Sequence, residues 1–168
     1  MARIYIGLGS NVERERHLLA GIADLQHTFT AVRLSTVYES AAVGFAGANF
    51  FNLVAEAQTE MSLEQVLVAL RSIEFAHGRA PDARKFSPRT LDLDLLCFDD
   101  RVCSEPVVLP RAEILHNAFV LCPFAELAPD WIHPVAGLCL SSLWRQYDKS
   151  RQPLTAVTLV ASGCEFGQ

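Results

Sequence analysis

The chain has 168 residues with 19 acidic and 14 basic side chains, which give a formal net charge of −5. Of the residues, 51% are hydrophobic and 20% are charged, which excludes a disordered chain and predicts a single globular domain over residues 1–168. The acidic balance argues against a nucleic-acid partner, because phosphate backbones require a basic surface. No run reaches the ~18 apolar residues of a membrane span, and the N-terminus lacks the features of a signal peptide, so we expect no membrane partner. Five scattered cysteines without a Cys-x-x-Cys pair favour a reducing, cytoplasmic location.

The first third of the chain predicts three strands and one helix. Apolar residues that alternate or run together predict strands over residues 3–8, 32–39 and 50–59. Apolar residues at helical spacing predict an amphipathic helix over residues 13–28, which the Asn11 side chain can cap. A long loop with two glycines separates the second of these strands from the third.

A capping box marks the start of the second helix. Ser62 and Gln65 can satisfy each other's backbone donors, and an apolar stripe then continues until Gly78 ends the helix. The polar segment 79–90 contains two prolines and predicts a loop, and residues 91–98 predict a strong strand.

The remainder of the chain predicts shorter elements. Helices are expected over residues 119–127 and 140–147, with a short extended piece at residues 106–109. In the C-terminal extension, residues 150–168, the β-rich segment 155–161 predicts either an added edge strand or a dimer contact. Because strands and helices mix without regular βαβ alternation, the predicted fold class is an α+β sandwich and not a doubly wound sheet.

Two aspartates in the strand after the polar loop form the strongest candidate site. Residues two apart share a face of a strand, so Leu91, Leu93 and Leu95 should point into a core, and Asp92 and Asp94 should point to the opposite face. Their Cβ atoms would lie about 7 Å apart, a spacing that suits one or two hard cations such as Mg²⁺. A solvated acidic face without a metal is the alternative for this pattern.

Charge is divided sharply around these aspartates. Residues 71–89 contain five basic and two acidic side chains, whereas residues 90–105 contain five acidic and one basic. A cationic loop that leads into a carboxylate strand suits a polyphosphate whose oxygens are shared between arginines and metal ions. Internal ion pairs in a solvated loop are the alternative.

Residues 86–96 resemble the signature of the 6-hydroxymethyl-7,8-dihydropterin pyrophosphokinase family, whose core is Pro-Arg-x-x-Asp-x-Asp. Three further segments match the family in chain order, namely residues 9–11, residues 74–79 and residues 118–123. The resemblance extends over about residues 3–135 and leaves the last thirty residues poorly supported.

This resemblance implies a ferredoxin-like α+β fold with a mainly antiparallel sheet and helices packed on it. It also implies transfer of pyrophosphate from ATP to the hydroxymethyl group of 6-hydroxymethyl-7,8-dihydropterin, with release of AMP, in folate biosynthesis. Asp92 and Asp94 match the carboxylates that hold two Mg²⁺ ions in the family. The expected partners are therefore the small molecules ATP and hydroxymethyldihydropterin.

The resemblance further assigns residues to catalysis and to the two substrates. The expected catalytic residues are Arg79, Arg89, Asp92 and Asp94. The ATP side is expected to comprise Glu74, Arg79, Arg84, Lys85, Arg89 and Arg111. The pterin side is expected to comprise the backbone of Ser40, Ala41 and Val43, the side chain of Asn52, and the stacking rings of Phe50 and Phe119.

The sequence departs from the family pattern at several of these positions. Arg111 stands where the family often has histidine, Pro81 replaces an arginine of the loop, and Asn117 replaces a basic residue. Phe50 and Phe86 replace a tyrosine and a tryptophan, so stacking is kept and hydrogen bonding is lost. These changes raise the alternative of a paralogue that binds pterin or nucleotide with weak or no turnover, or that uses a different pterin.

Two further alternatives follow from the sequence. An α+β regulatory module would carry the two aspartates as a solvated face without metal. For the oligomeric state, a monomer is expected, and a dimer through the C-terminal extension is the alternative.

Overall fold

The computed structural model describes residues 1–41, 48–78, 91–161 and 164–166 of the chain. The elements in chain order are β1 (Ala2–Ser10), α1 (Arg14–Thr28), β2 (Thr30–Leu34), β3 (Val37–Ser40), β4 (Phe50–Thr59), α2 (Leu63–Ala76), β5 (Asp92–Phe98), α3 (Glu113–His116), α4 (Ala118–Leu127), α5 (Leu140–Gln146), β6 (Thr155–Val157), β7 (Leu159–Ala161) and β8 (Cys164–Phe166).

Within the described residues, six strands form one antiparallel sheet in the order β5-β1-β4-β3-β6, with β2 also paired to β4. Strands β7 and β8 form a separate two-stranded hairpin. Of the two alternatives for the C-terminal extension, the structure contains the edge strand, since β6 pairs with β3. The predicted α+β fold, a mainly antiparallel sheet with helices packed on it, is confirmed.

Helices cover both faces of the sheet because its strands alternate apolar side chains between two cores. Ile4, Ile6 and Leu8 of β1 pack with the apolar stripes of α1 and α2 on one face. On the opposite face, Tyr5 and Leu96 pack against α4 and α5 in a second, smaller core. The predicted inward face of β5 belongs to the first of these cores, and its three leucines are buried.

The capping box predicted for α2 is present. The Ser62 backbone N–H donates to Gln65 Oε1 at 2.8 Å, and the Gln65 N–H donates to Ser62 Oγ at 3.2 Å. These two bonds satisfy donors that a helix start otherwise leaves unpaired, and they set the entry of α2 onto the sheet.

Two local predictions are wrong. The predicted strand 32–39 is interrupted, because Ser35 is buried and its Oγ accepts the Val54 N–H of β4 at 2.9 Å in place of a backbone carbonyl. Asn11 does not cap α1, whose first flanking residue is Glu13 and has no side-chain cap. The Asn11 side chain instead donates to Ala48 O at 3.2 Å, just before β4.

Glu56 of β4 is a buried carboxylate on the face that carries α4. It accepts hydrogen bonds from the Tyr5 hydroxyl at 2.9 Å and from Arg33 at 2.8 Å, and Arg3 lies 3.7 Å away. Burial, followed by the hydrogen bond to Glu56, raises the pKa of Tyr5, so the phenol stays protonated and donates at neutral pH.

Replacing this carboxylate should destabilise the fold. We expect Glu56→Gln to lower the free energy of unfolding by about 2 kcal/mol, because the amide retains only one acceptor oxygen for Tyr5 and Arg33. Urea unfolding measures the change, and the exposed Glu60→Gln, which lies just beyond β4, is the matched control. Equal stability of the two variants would contradict the importance of this buried group.

Candidate active site

The antiparallel register brings the two aspartates and Asn52 onto one face of the sheet. In β1, Gly9 pairs with Asp92 of β5 on one side and with Asn52 of β4 on the other. Gly7 pairs with Asp94 in the same way. Residues that are directly opposite one another share a face. Asp92, Asp94 and Asn52 therefore surround Gly7 and Gly9, which have no side chains.

Asn52 is fixed by a buried hydrogen bond, since its Nδ2 donates to Ser40 Oγ of β3 at 2.9 Å. Its Oδ1 lies over Gly9, where an added Cβ would come within 2.8 Å of that oxygen. The Phe50 ring borders the same space, with Cδ1 3.6 Å from that Cβ position. Ala41, which follows Ser40, is exposed at the rim. Four of the predicted pterin-side residues therefore lie together.

Arg111 contacts the aspartate pair directly. One of its terminal nitrogens donates to Asp94 Oδ1 at 2.8 Å. Its backbone N–H donates to Leu96 O of β5 at 3.0 Å, which holds this segment against the strand. Among the described residues, the buried Nε of Arg111 has no hydrogen-bond partner. The structure thus places a cation and an unused donor beside Asp94.

Glu74 fastens the end of α2 to the strand that carries the aspartates. This carboxylate is buried, and its Oε2 accepts the Leu93 N–H at 2.8 Å, between Asp92 and Asp94 in the chain. Helix α2 ends at Ala76, and the turn after it reaches Gly78, where the backbone has a positive φ of 91°. The end of α2 is therefore held against the start of β5.

Phe119 lies in the first turn of α4, the helix packed over β3 and β4, and its ring is partly buried against the second core. Gln152, from the segment after α5, fixes this helix start. It accepts the Ala118 N–H at 2.8 Å and donates to Asn117 Oδ1 at 2.9 Å. Gln152 is a supporting residue that the sequence pattern does not indicate.

Arg14 of α1 is a second residue that the sequence pattern does not indicate. It donates to Glu39 at 2.8 Å and to Asn49 O at 3.0 Å, and its guanidinium lies 3.8 Å from the centre of the Phe51 ring. Glu39 is near the end of β3, and Asn49 directly precedes β4. Arg14 therefore fixes both ends of the loop that contains the predicted pterin-side backbone.

Tyr38 ties β3 to α4 on the same face as the candidate site. It pairs with Asn52 across the strands, and its hydroxyl donates to Glu126 at 2.8 Å. Burial and then this hydrogen bond raise the pKa of Tyr38, so its hydroxyl remains a donor at neutral pH.

The remaining predicted site residues, Val43, Arg79, Arg84, Lys85 and Arg89, lie outside the described residues. Within the described parts of the chain, no group of three or more His, Cys, Asp or Glu side chains could hold a metal ion. Asp92 and Asp94 supply two carboxylates, and this oxygen donor set fits Mg²⁺ that completes its coordination with water and phosphate oxygens. Also within these parts, no helix is both long and apolar enough to cross a bilayer.

Three relatives cover most of the chain and are similar to it over most of their own length. They are the 2-amino-4-hydroxy-6-hydroxymethyldihydropteridine pyrophosphokinases of Aquifex aeolicus, Synechocystis and Pseudomonas aeruginosa. The first is 35% identical over 80% of this chain and 86% of its own length. The second is 35% identical over 96% of this chain and 82% of its own length. The third is 38% identical over 76% of this chain and 82% of its own length. All three are pyrophosphokinases, a class of transferase enzymes.

A family model described as 7,8-dihydro-6-hydroxymethylpterin-pyrophosphokinase (HPPK) matches residues 5–129. The chain belongs to this family of enzymes. The resemblance seen in the sequence is thereby confirmed.

Solved structures agree on the fold. A crystal structure of an HPPK-DHPS protein in complex with substrates has a TM-score of 0.70 at 11% identity, over 89% of this chain and 44% of that one. Plasmodium falciparum HPPK-DHPS has a TM-score of 0.67 at 13% identity, over 88% of this chain and 44% of that one. The chain thus spans less than half the length of these two proteins, and at such low identity the likeness concerns the fold alone.

Proposed function

We propose that this chain transfers pyrophosphate from ATP to the hydroxymethyl group of 6-hydroxymethyl-7,8-dihydropterin, releasing AMP, as a step of folate biosynthesis. The observation that carries this proposal is the arrangement on one sheet face of Asp92 and Asp94 beside Asn52 and Ser40. Asp92 and Asn52 are two strand spacings apart, about 10 Å. Such a span separates a metal–phosphate end from a heterocycle end within a single site.

At the heterocycle end, the described residues suit a flat ring with donors and acceptors on one edge. Asn52 and the backbone at Ser40 and Ala41 would bind that edge, together with the backbone of Val43. The rings of Phe50 and Phe119 would stack on the two faces. The Asn52–Ser40 hydrogen bond supports this role, because a fixed amide presents its polar atoms without reorganisation.

At the phosphate end, Asp92 and Asp94 would hold two Mg²⁺ ions. When bound, these ions would neutralise negative charge on the phosphate oxygens. Arg79 and Arg89 would bind the phosphates and stabilise charge in the transition state. In the proposed step, the substrate hydroxyl oxygen bonds to the β-phosphorus and releases its proton to solvent. The bond from that phosphorus to the oxygen that bridges it to the α-phosphorus breaks, and AMP leaves with the electron pair.

The ATP side would further include Glu74, Arg84, Lys85 and Arg111. For Glu74, support comes from its bond to the backbone of Leu93, the residue between the two aspartates. For Arg111, support comes from its contact with Asp94 and from its buried Nε. Positioning and charge neutralisation by these groups can supply most of the rate acceleration of phosphoryl transfer.

The second candidate is a family member that binds pterin or nucleotide with weak or no turnover. Two departures from the family pattern favour it, since both alter contacts at the site. Arg111, in place of histidine, contacts a proposed metal ligand. Asn117, in place of a basic residue, is hydrogen-bonded to Gln152 and contributes no positive charge.

Calorimetry combined with an AMP-release assay separates the two candidates. We expect AMP to form only when Mg²⁺, ATP and hydroxymethyldihydropterin are all present. A non-hydrolysable ATP analogue and the pterin should both bind in titrations. Tight binding of both ligands without any AMP would reject the enzyme in favour of the binding protein.

We further propose a single domain over residues 1–168, a monomeric state and a cytoplasmic location. Cys97, Cys103, Cys122 and Cys139 are free thiols, which suits a reducing compartment. The pairing of β6 with β3 supports the monomer, because residues 155–157 of the segment proposed for a dimer contact already pair within their own chain.

A further inference from the structure

The ion pair between Asp94 and Arg111 joins a proposed metal ligand to a permanently charged side chain. A terminal nitrogen of Arg111 lies 2.8 Å from Oδ1 of Asp94. The Asp94 side chain is 45% exposed and the Arg111 side chain is 28% exposed. Because the Arg111 backbone is hydrogen-bonded to Leu96 O, the guanidinium is held beside the carboxylate. The contact is therefore anchored at the backbone as well as at the side chain.

A guanidinium in this position competes with a metal ion. It occupies Oδ1 of Asp94, one of the two carboxylate oxygens that could bind a cation, and its positive charge repels a divalent ion nearby. Metal binding to Asp94 is therefore weakened until the guanidinium moves away or gains an anionic neighbour.

Arg111 also has a second donor available for such a neighbour. Its Nε is buried and has no hydrogen-bond partner among the described residues. A buried donor without an acceptor is unfavourable, so a ligand atom that accepts its hydrogen bond would gain binding free energy. A phosphate oxygen is a suitable acceptor, because guanidinium groups bind phosphate through two parallel donors.

We propose that Arg111 is an exchangeable counter-ion that neutralises Asp94 in the nucleotide-free protein and transfers to ATP phosphate when metal and nucleotide bind together. This inference rests on the proposed function, since it requires Asp94 to be a metal ligand. Its consequence is that the free protein binds a divalent cation weakly, and that the metal enters with the nucleotide. The arginine at this position would then set the order of binding.

The test is the affinity for Mn²⁺ in the absence of nucleotide, measured by electron paramagnetic resonance. Arg111→Gln should bind Mn²⁺ about tenfold more tightly than the unaltered protein, because the competing charge is gone. Asp94→Asn should lose most of the binding. Arg101→Gln is the matched control, since this exposed arginine lies beyond the far end of β5, 4.8 Å from the Phe98 ring, and its loss should change the affinity less than about twofold.

An Mn²⁺ affinity of Arg111→Gln that is no higher than that of the control would overturn the exchange while the metal site stands. Unchanged affinity in Asp94→Asn would overturn both the exchange and the metal site. If Arg111→Gln does not fold, the NMR resonance of the Arg111 Nε–H group in the unaltered protein tests the exchange. It should shift with Mg²⁺ plus a non-hydrolysable ATP analogue and stay in place with the same Mg²⁺ alone, and an equal shift in both cases would refute the proposal.

Discussion

Asp92→Asn is expected to lower kcat by about a thousandfold and to change the free energy of unfolding by less than about 1 kcal/mol. The amide keeps the shape of the side chain and loses the charge that a Mg²⁺ ion requires. Asp92 lies on the half-exposed face of β5, opposite the core that holds Leu91 and Leu93, so the packing of the strand is unaffected. The AMP-release rate at saturating substrates and a urea unfolding curve measure the two effects.

The matched control for this prediction is Asp100→Asn. Asp100 is exposed in the turn that follows β5, at the opposite end of the strand from Asp92. It removes the same charge from an acidic protein without touching the candidate site, so its turnover should stay within about twofold of the unaltered protein. If Asp92→Asn and Asp100→Asn turned over equally well, the paired aspartates would be a solvated face and the phosphate end of the site would lie elsewhere.

Most of the fold could be predicted because its signals are local. Alternation in β5 assigned Leu93 and Leu95 to the core and Asp92 and Asp94 to the opposite face, and the structure agrees. The capping box at Ser62 predicted the residue at which α2 begins, because both partners lie within one helical turn.

The errors occur where a side chain bonds to a distant part of the chain. Ser35 interrupts a strand because its hydroxyl accepts from Val54, nineteen positions away. Asn11 was expected to cap the adjacent helix and instead bonds to Ala48, thirty-seven positions away. Local propensity carries no information on such partners, so neither contact could be inferred from one sequence.

The candidate site shows the same division. The identities of the predicted residues rest on a motif and a resemblance, and Ser40, Asn52, Asp92 and Asp94 lie at one end of the sheet. The supporting contacts of Arg14, Gln152 and Arg111 could not be inferred, since each joins segments far apart in the chain. Glycine inside a strand often marks a close approach by another group, but the predicted strand over residues 3–8 ends before Gly9, which only the structure places within β1.

Gly9→Ala is expected to weaken pterin binding by tenfold to a hundredfold at unchanged ATP affinity, which corresponds to about 1.5 to 3 kcal/mol. The added Cβ would lie 2.8 Å from Asn52 Oδ1, so the amide must move and its bond to Ser40 must weaken. Titration with hydroxymethyldihydropterin measures the loss. Gly7→Ala is the control on the same strand and face, since its Cβ would make only ordinary contacts of 3.6 Å with Leu96, and it should leave pterin affinity unchanged.

A double-mutant cycle decides whether Gly9→Ala acts through Asn52. Asn52→Ala alone should weaken pterin binding by a similar factor, because the fixed amide is removed. In that background the obstructing oxygen is absent, so adding Gly9→Ala should cost little more, and the two effects should be strongly non-additive. Fully additive effects would mean that Gly9 contributes to the site by a route independent of Asn52. Non-additivity would instead establish that the absence of a side chain at Gly9 leaves the room that the Asn52 amide needs.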